Sequence, residues 1–184
     1  MKRLGIALGI LSFVMSVASA AFCQEKPDKV SLCQLKRDPA GYNHKLVEVS
    51  GIVSHGFEDF TLSNPTCSSY PAVWLEYGGK SKSGTTYCCG VTADRLRLKE
   101  LVIEGLRIPL TEDDQFSQFE KLIQPPFRSG RSSATIRATL VGRFFAGHQV
   151  NSLGGTFWGG YGHMGCCSLL AIQQIQAVSP DDRK

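Results

Sequence analysis

Apolar and polar residues alternate with a period of two along several stretches of this chain. Over residues 45–54, Val47, Val49, Gly51 and Val53 share one face while Glu48, Ser50 and Ser54 take the other. That is the pattern of a half-buried strand. Gly51 inside it predicts a bulge or a sharp bend. His55-Gly56 reads as a turn. Alternation resumes over 58–63, with Phe60 and Leu62 inward, until Asn64-Pro65 breaks it. Residues 72–77 predict a third strand, Val73, Leu75 and Tyr77 against Trp74 and Glu76. Residues 135–145 alternate most clearly, with Ile136, Ala138, Leu140, Gly142 and Phe144 on one side and Arg137 and Arg143 on the other. Residues 168–178 are expected as the last strand, although Leu169, Ile172 and Ile175 also fit helical spacing. The apolar runs at 87–91 and 101–110 are candidate extensions of the sheet.

Two segments carry the longer helical period. Ser31-Leu32-Cys33-Gln34 has the form of a capping box, Ser followed three later by Gln. Leu32 and Leu35 share a face and Pro39 stops the segment, predicting a helix over 31–37. Thr111-Glu112-Asp113-Asp114 places acids where a helix dipole favours them. Phe116, Phe119 and Ile123 then recur at helical spacing before Pro125-Pro126. Residues 127–133 read as a loop with Arg128 and Arg131, and 147–165 as a Gly-rich loop holding Phe157, Trp158, Tyr161 and His163. The predicted order is helix, three strands, helix, two strands. Three strands, a helix and two strands is the order of an OB-fold, a five-stranded, partly open Greek-key barrel. The expected fold is therefore mainly β: an OB-fold-like barrel with one helix between strands 3 and 4 and a short N-terminal helix.

The chain opens differently. Lys2 and Arg3 precede an apolar run from Leu4 to Val17 that ends at Ala18-Ser19-Ala20. A basic start, a short apolar stretch and a small-residue site describe a secretory signal peptide. The run is shorter than the roughly 20 residues that span a bilayer. The expected organisation is a signal peptide at 1–20, an arm at 21–30, the barrel domain at 31–179 and a tail at 180–184. An exported, periplasmic or extracellular protein is expected, with no transmembrane segment after cleavage. Phe22 before Cys23 argues against a lipid anchor there, since a lipid-accepting cysteine normally follows a small residue.

Composition adds two constraints. The formal net charge is +4 and falls by two without Lys2 and Arg3, so charge makes no case for nucleic acid. Seven cysteines matter in an exported chain, where thiols tend to be oxidised. With Cys23 set aside, Cys33, Cys67, Cys88, Cys89, Cys166 and Cys167 are an even set of disulfide candidates. Two pairs are vicinal. Adjacent strand residues point to opposite faces, so each pair is expected to send its two cysteines to different partners, and one to three disulfides are expected, involving Cys67 and one of the vicinal pairs.

Several runs resemble a known group. Leu32-Cys33-Gln34-Leu35, Pro39, Tyr42, Lys45-Leu46-Val47 and Val49-Ser50-Gly51-Ile52-Val53 resemble the opening of exported bacterial OB-fold-like domains, which share the tRNA-anticodon-binding-like fold. Gly56-Phe57-Glu58-Asp59-Phe60, Trp74-Leu75-Glu76-Tyr77 and Gly160-Tyr161-Gly162-His163-Met164-Gly165-Cys166-Cys167 resemble uncharacterised secreted bacterial proteins. The likeness implies a fold and no activity, because function lives in the site and not in the fold.

OB-folds meet ligands on strands 2–3 and on the loops joining strands 1–2 and 4–5. Carried onto this chain, those loops are 55–58 and 147–165, and His55, Glu58 and His163 are expected in one neighbourhood. Phe57, Trp74, Trp158 and Tyr161 could add a stacking platform for a ring. These seven residues form the expected ligand face. Imidazole and thiolate are sound zinc ligands, so His163, Cys166 and Cys167 are the metal candidates. A lone His-x-x-Cys without a second pair favours disulfides, and no cofactor is expected. The expected function is binding of an unidentified envelope ligand or protein. A small metal- or thiol-dependent enzyme using the same loops, and a protein-interaction module, are the alternatives. Catalysis is left open, with the balance toward binding.

Overall fold

A computed structural model describes residues 25–56, 58–67, 71–83, 96–123 and 133–181. In chain order the elements are β1 (Asp28–Lys29), α1 (Leu32–Arg37), β2 (Leu46–Gly56), β3 (Phe60–Ser63), β4 (Ala72–Tyr77), β5 (Val102–Ile103), β6 (Leu106–Arg107), α2 (Asp114–Ile123), β7 (Ser133–Phe145), β8 (His148–Ser152), β9 (Gly155–Gly159) and β10 (Cys167–Pro180). The main sheet runs β1-β2-β3-β4-β10-β7, and a further pairing of β2 with β7 closes five strands into a barrel. β4 and β10 are parallel, as are β1 and β2; the remaining pairs of this sheet are antiparallel. The fold is thus mainly β, with two α-helices among the described residues.

The core follows the alternation. Val47, Val49 and Val53 of β2, Phe60 and Leu62 of β3, and Leu140 and Phe144 of β7 are buried together. α1 begins at the expected capping box: Ser31 Oγ accepts from the Gln34 N–H and Gln34 Oε1 accepts from the Ser31 N–H. Leu32 and Leu35 are fully buried beneath it. Asp113 Oδ1 accepts from the Phe116 N–H at the start of α2, which buries Phe119 and Ile123.

Several expectations are corrected. His55-Gly56 is not a turn; β2 runs through it, pairing His55 with Ala134 and Phe60. Gly51 makes no bulge against β7, where the pairing runs unbroken from Leu46 to Gly56, while the β3 ladder starts one residue later at Ile52. A Cβ there would meet Leu62 and the Ser63 carbonyl at 2.8 Å, so the glycine permits close approach. The irregular registers fall in β10 instead, near Gln174 and Ala177. Residues 101–110 do not extend the barrel but form the separate hairpin β5–β6. Residues 147–165 are not one loop: β8 and β9 form a hairpin, followed by a 3-10 turn at His163–Gly165. β4 does not alternate, since Val73 to Tyr77 are all buried. Residues 84–95, which include Cys88, Cys89 and the run 87–91, lie outside the described residues. So do Cys23, Arg128 and Arg131.

Cys33 of α1 and Cys67 are at disulfide distance, with Cα atoms 5.2 Å apart and 34 positions between them. Closing a loop of that length stabilises a fold by roughly 3–4 kcal/mol. Cys67, expected in a disulfide, thus pairs with Cys33 of the helix. Cys166 and Cys167 are joined to each other. The expectation of separate partners rested on both residues lying within a strand, whereas Cys166 precedes β10 in helical backbone.

Candidate functional site

The expected ligand residues differ in burial and in what they touch. His55 is 2% exposed; its Nδ1 donates to the Ile123 carbonyl at 2.9 Å and its ring packs edge-on to Phe60. It is a core histidine that ties the last turn of α2 to the barrel. Glu58 is exposed in the β2–β3 turn, where Ser54 Oγ donates to Asp59 Oδ2 at 2.8 Å. Phe57 lies outside the described residues, and the Trp158 side chain in β9 does as well.

Trp74, Tyr161 and His163 come together around the turn that precedes β10. Trp74 is 1% exposed, and a Cβ on Gly162 would lie 2.5 Å from its ring. The Gly162 backbone is thus a lid on the indole, which explains a glycine at that position. Tyr161 exchanges two backbone hydrogen bonds with Cys167, 2.7 and 3.0 Å long. The segment lies beside the start of β2, since the Phe145 ring meets both Tyr161 and His44, and the His44 N–H donates to the Phe144 carbonyl. The contacts of His55 are different ones, with Phe60 and the end of α2. With their sulfurs joined, Cys166 and Cys167 offer no thiolate to a metal. Among the described residues no three His, Cys, Asp or Glu side chains could hold a metal ion.

What does assemble beside Tyr161 is a polar cluster drawn from three separate segments. His44 Nε2 lies 2.5 Å from Glu104 Oε2, and the Tyr161 hydroxyl donates to Glu104 Oε1. The His44 and Glu104 side chains are 44% and 45% exposed, so the cluster faces solvent. Phe145 lies beneath it, edge-on to His44 and tilted against Tyr161. The Tyr161 hydroxyl first, then His44, holds the Glu104 carboxyl below the ordinary glutamate value. Burial first, then the Glu104 hydrogen bond, pushes the Tyr161 phenol above the ordinary tyrosine value.

The backbone at this corner is unusual. His44 (φ 63°), Glu104 (φ 49°) and Met164 (φ 57°) are the non-glycine residues in left-handed conformation among the described residues. Each such residue costs about 1 kcal/mol. Glu104 and Gly105 form the two-residue tip of β5–β6, both at positive φ, where Asn-Gly is the favoured pair. A glutamate there spends conformational energy to aim its carboxylate. Arg143 steadies the His44 end: Nη1 donates to the His44 carbonyl at 2.8 Å, and the guanidinium grips Glu25 at 2.6 and 3.0 Å. Sequence reasoning missed His44 and Glu104 because neither sits in an expected ligand loop. The signal that could have found Glu104 is Glu-Gly between two short apolar runs.

A second feature crosses the outer face of the barrel. Two adjoining open depressions, of about 350 and 530 Å³, share Ile52, Ser63, Asn64 and Pro65. Hydroxyls line them from Ser50, Thr61, Thr135 and Thr139. Lys36 and Arg137 supply cationic groups, the second paired with Asp181 at 3.3 Å. Burial holds the Lys36 ammonium below the ordinary lysine value. Cys67 lies in the wall of the larger depression, so the Cys33 bond fixes one bank of this groove.

No family model, no curated protein and no solved structure matches this chain. Among the described residues, no helix is long and apolar enough to cross a membrane.

Proposed function

We propose that this chain is an exported, OB-fold-like binding domain whose ligand lies along the groove over β2 and β3. The strand order β2-β3-β4-β10-β7, closed by β2–β7 and with the single parallel barrel pairing β4–β10, supports the OB-like reading. So does the position of α2 between β4 and β7 in the chain. The basic and apolar opening of the sequence supports export.

The observation that carries the proposal is the groove itself. Two depressions merge across the barrel surface, walled by side chains of β2, β3, β7 and β10. Its hydroxyl and amide lining suits a neutral or weakly anionic chain such as an oligosaccharide, which OB-folds bind on this kind of face. The test is a titration of 15N-labelled protein with chitohexaose. Amide shifts gathered on Ser50, Ile52, Ser63 and Asn64 are expected, and Thr61→Arg should abolish them by filling the groove. Shifts scattered over the surface, or unchanged by that variant, would overturn the reading.

A further inference from the structure

The groove makes no use of the corner that holds Cys166 and Cys167. These two adjacent residues are bonded to each other, Cys167 buried at the start of β10 and Cys166 half-buried before it. The turn that delivers them is strained: Gly162, Met164 and Gly165 all have positive φ. His163 Nδ1, in the same turn, is buried with no hydrogen-bond partner among the described residues. Folds avoid an unsatisfied buried polar atom and left-handed backbone on a large side chain, and they tend to keep both where a segment has work to do.

The two disulfides differ in what folding does for them. A disulfide gains stability from the loop it closes. Cys33–Cys67 spans 34 positions, whereas Cys166–Cys167 spans one and closes only an eight-membered ring, with no chain loop to constrain. Folding therefore protects the first bond against reduction and lends the second no such protection. Opening the second leaves the chain connectivity and the pairing of β10 with β4 and β7 in place.

We propose that Cys166–Cys167 is a thiol–disulfide exchange site whose substrate is an external thiol. A thiolate attacks the sulfur of Cys166, the less buried residue of the two. The new bond joins the external sulfur to Cys166, the Cys166–Cys167 bond breaks, and Cys167 leaves as a thiolate that takes up a proton. A second external thiolate attacks the external sulfur of that mixed disulfide. The external disulfide departs and Cys166 leaves as a thiolate, which is protonated in turn. Two thiols are oxidised by two electrons, one protein disulfide is reduced, and the two thiol protons end on the two cysteines. This inference stands apart from the groove and does not depend on it.

The test uses the full chain purified without reductant. Reduced glutathione and a cysteine-containing decapeptide serve as the small and the peptidic thiol, each at graded ratios of thiol to disulfide. Alkylation and peptide mapping then count every cysteine separately, Cys88 and Cys89 included. Cys166 and Cys167 should open at a poise roughly a hundredfold less reducing than Cys33 and Cys67, with the circular dichroism unchanged. Opening by either thiol supports the site, and the more effective probe tells which kind of thiol reaches it. In Cys167→Ser, Cys166 should retain one glutathione after exposure to glutathione disulfide. Opening of all four cysteines together, or only with unfolding, would overturn the proposal. So would recovery of Cys166 and Cys167 as free thiols from air-purified protein.

Discussion

Glu76 and Glu104 each meet a basic side chain and a tyrosine, one under cover and one at the rim. Glu76 lies 2.8 Å from Arg97 Nη2 and accepts the Tyr77 N–H at 3.0 Å, with only 9% of the residue exposed. Glu104 meets His44 and the Tyr161 hydroxyl with nearly half its side chain in solvent. Burial raises the pKa of Glu76 and outweighs the opposing Arg97 charge, whereas hydrogen bonding lowers that of Glu104. The same residue types thus do different jobs. The buried set constrains the fold at a desolvation cost. The exposed set is held in costly backbone and presents its groups outward.

The largest effect expected from breaking this comparison is at Arg97. Its Nη1 also donates to the Tyr77 carbonyl at 3.1 Å and to the Ser81 carbonyl. Arg97→Met leaves a buried carboxylate unpaired and should destabilise the fold by about 3–5 kcal/mol at neutral pH. The sign with pH is fixed by the raised pKa of Glu76. A carboxyl whose folded pKa is raised favours the fold when protonated, and that stabilisation is lost as pH rises through the folded value. The deficit of Arg97→Met should therefore shrink in mild acid, and adding Glu76→Gln should recover part of it. Denaturant midpoints at neutral and mildly acid pH measure both. A deficit independent of pH would show that lost packing, and not the stranded charge, is responsible.

The same contrast shows what a sequence discloses. Local chemistry was legible: the Ser31–Gln34 cap, the acids opening α2, and the alternation of β2 and β7 all read directly, because each is set by neighbours in the chain. The barrel's closure depends on β2 pairing with β7 some ninety residues away, and it was reached only through element order. The candidate site was least legible. His55 stood out because it follows a strand, yet the strand continues through it and buries it. His44 drew no attention, because its importance lies in a left-handed backbone and a partner sixty residues on. Trp74 read as a half-exposed aromatic, since no local pattern announces that Gly162 will cover it. Residue type marks what a side chain could do, and only tertiary placement shows which of two histidines is free to do it.

An intermediate effect is expected at that cover. Gly162 combines positive φ with a Cβ position 2.5 Å from the Trp74 ring. Gly162→Ala should cost roughly 2–3 kcal/mol, from overlap as well as strain. Gly105 separates the two causes, since it has φ 81° and nothing within 4 Å of its would-be Cβ. Gly105→Ala should cost only about 1 kcal/mol, the backbone share alone. Equal losses in the two variants would mean that the Tyr161–His163 segment yields freely over the indole and does not form a fixed lid.

The smallest change in stability is expected at Glu104, where the spectroscopic change should be clearest. Solvent screens a half-exposed contact, so Glu104→Gln should cost less than about 1 kcal/mol near neutral pH. A carboxylate with a lowered folded pKa contributes stability above its ordinary value of 4.5, and the contribution fades as pH falls through the folded value. The difference between the native chain and Glu104→Gln should therefore vanish in acid, the reverse of the trend at Arg97. Tyr161 reports the same contact independently. Its phenol is raised by burial first and by Glu104 second. In Glu104→Gln its titration, followed by ultraviolet difference or ring resonances, should move down without reaching the ordinary tyrosine value. An unmoved Tyr161 would mean that the clasp is not populated in solution. His44 and Glu104 would then be two independent surface groups, and their left-handed backbones would need another explanation.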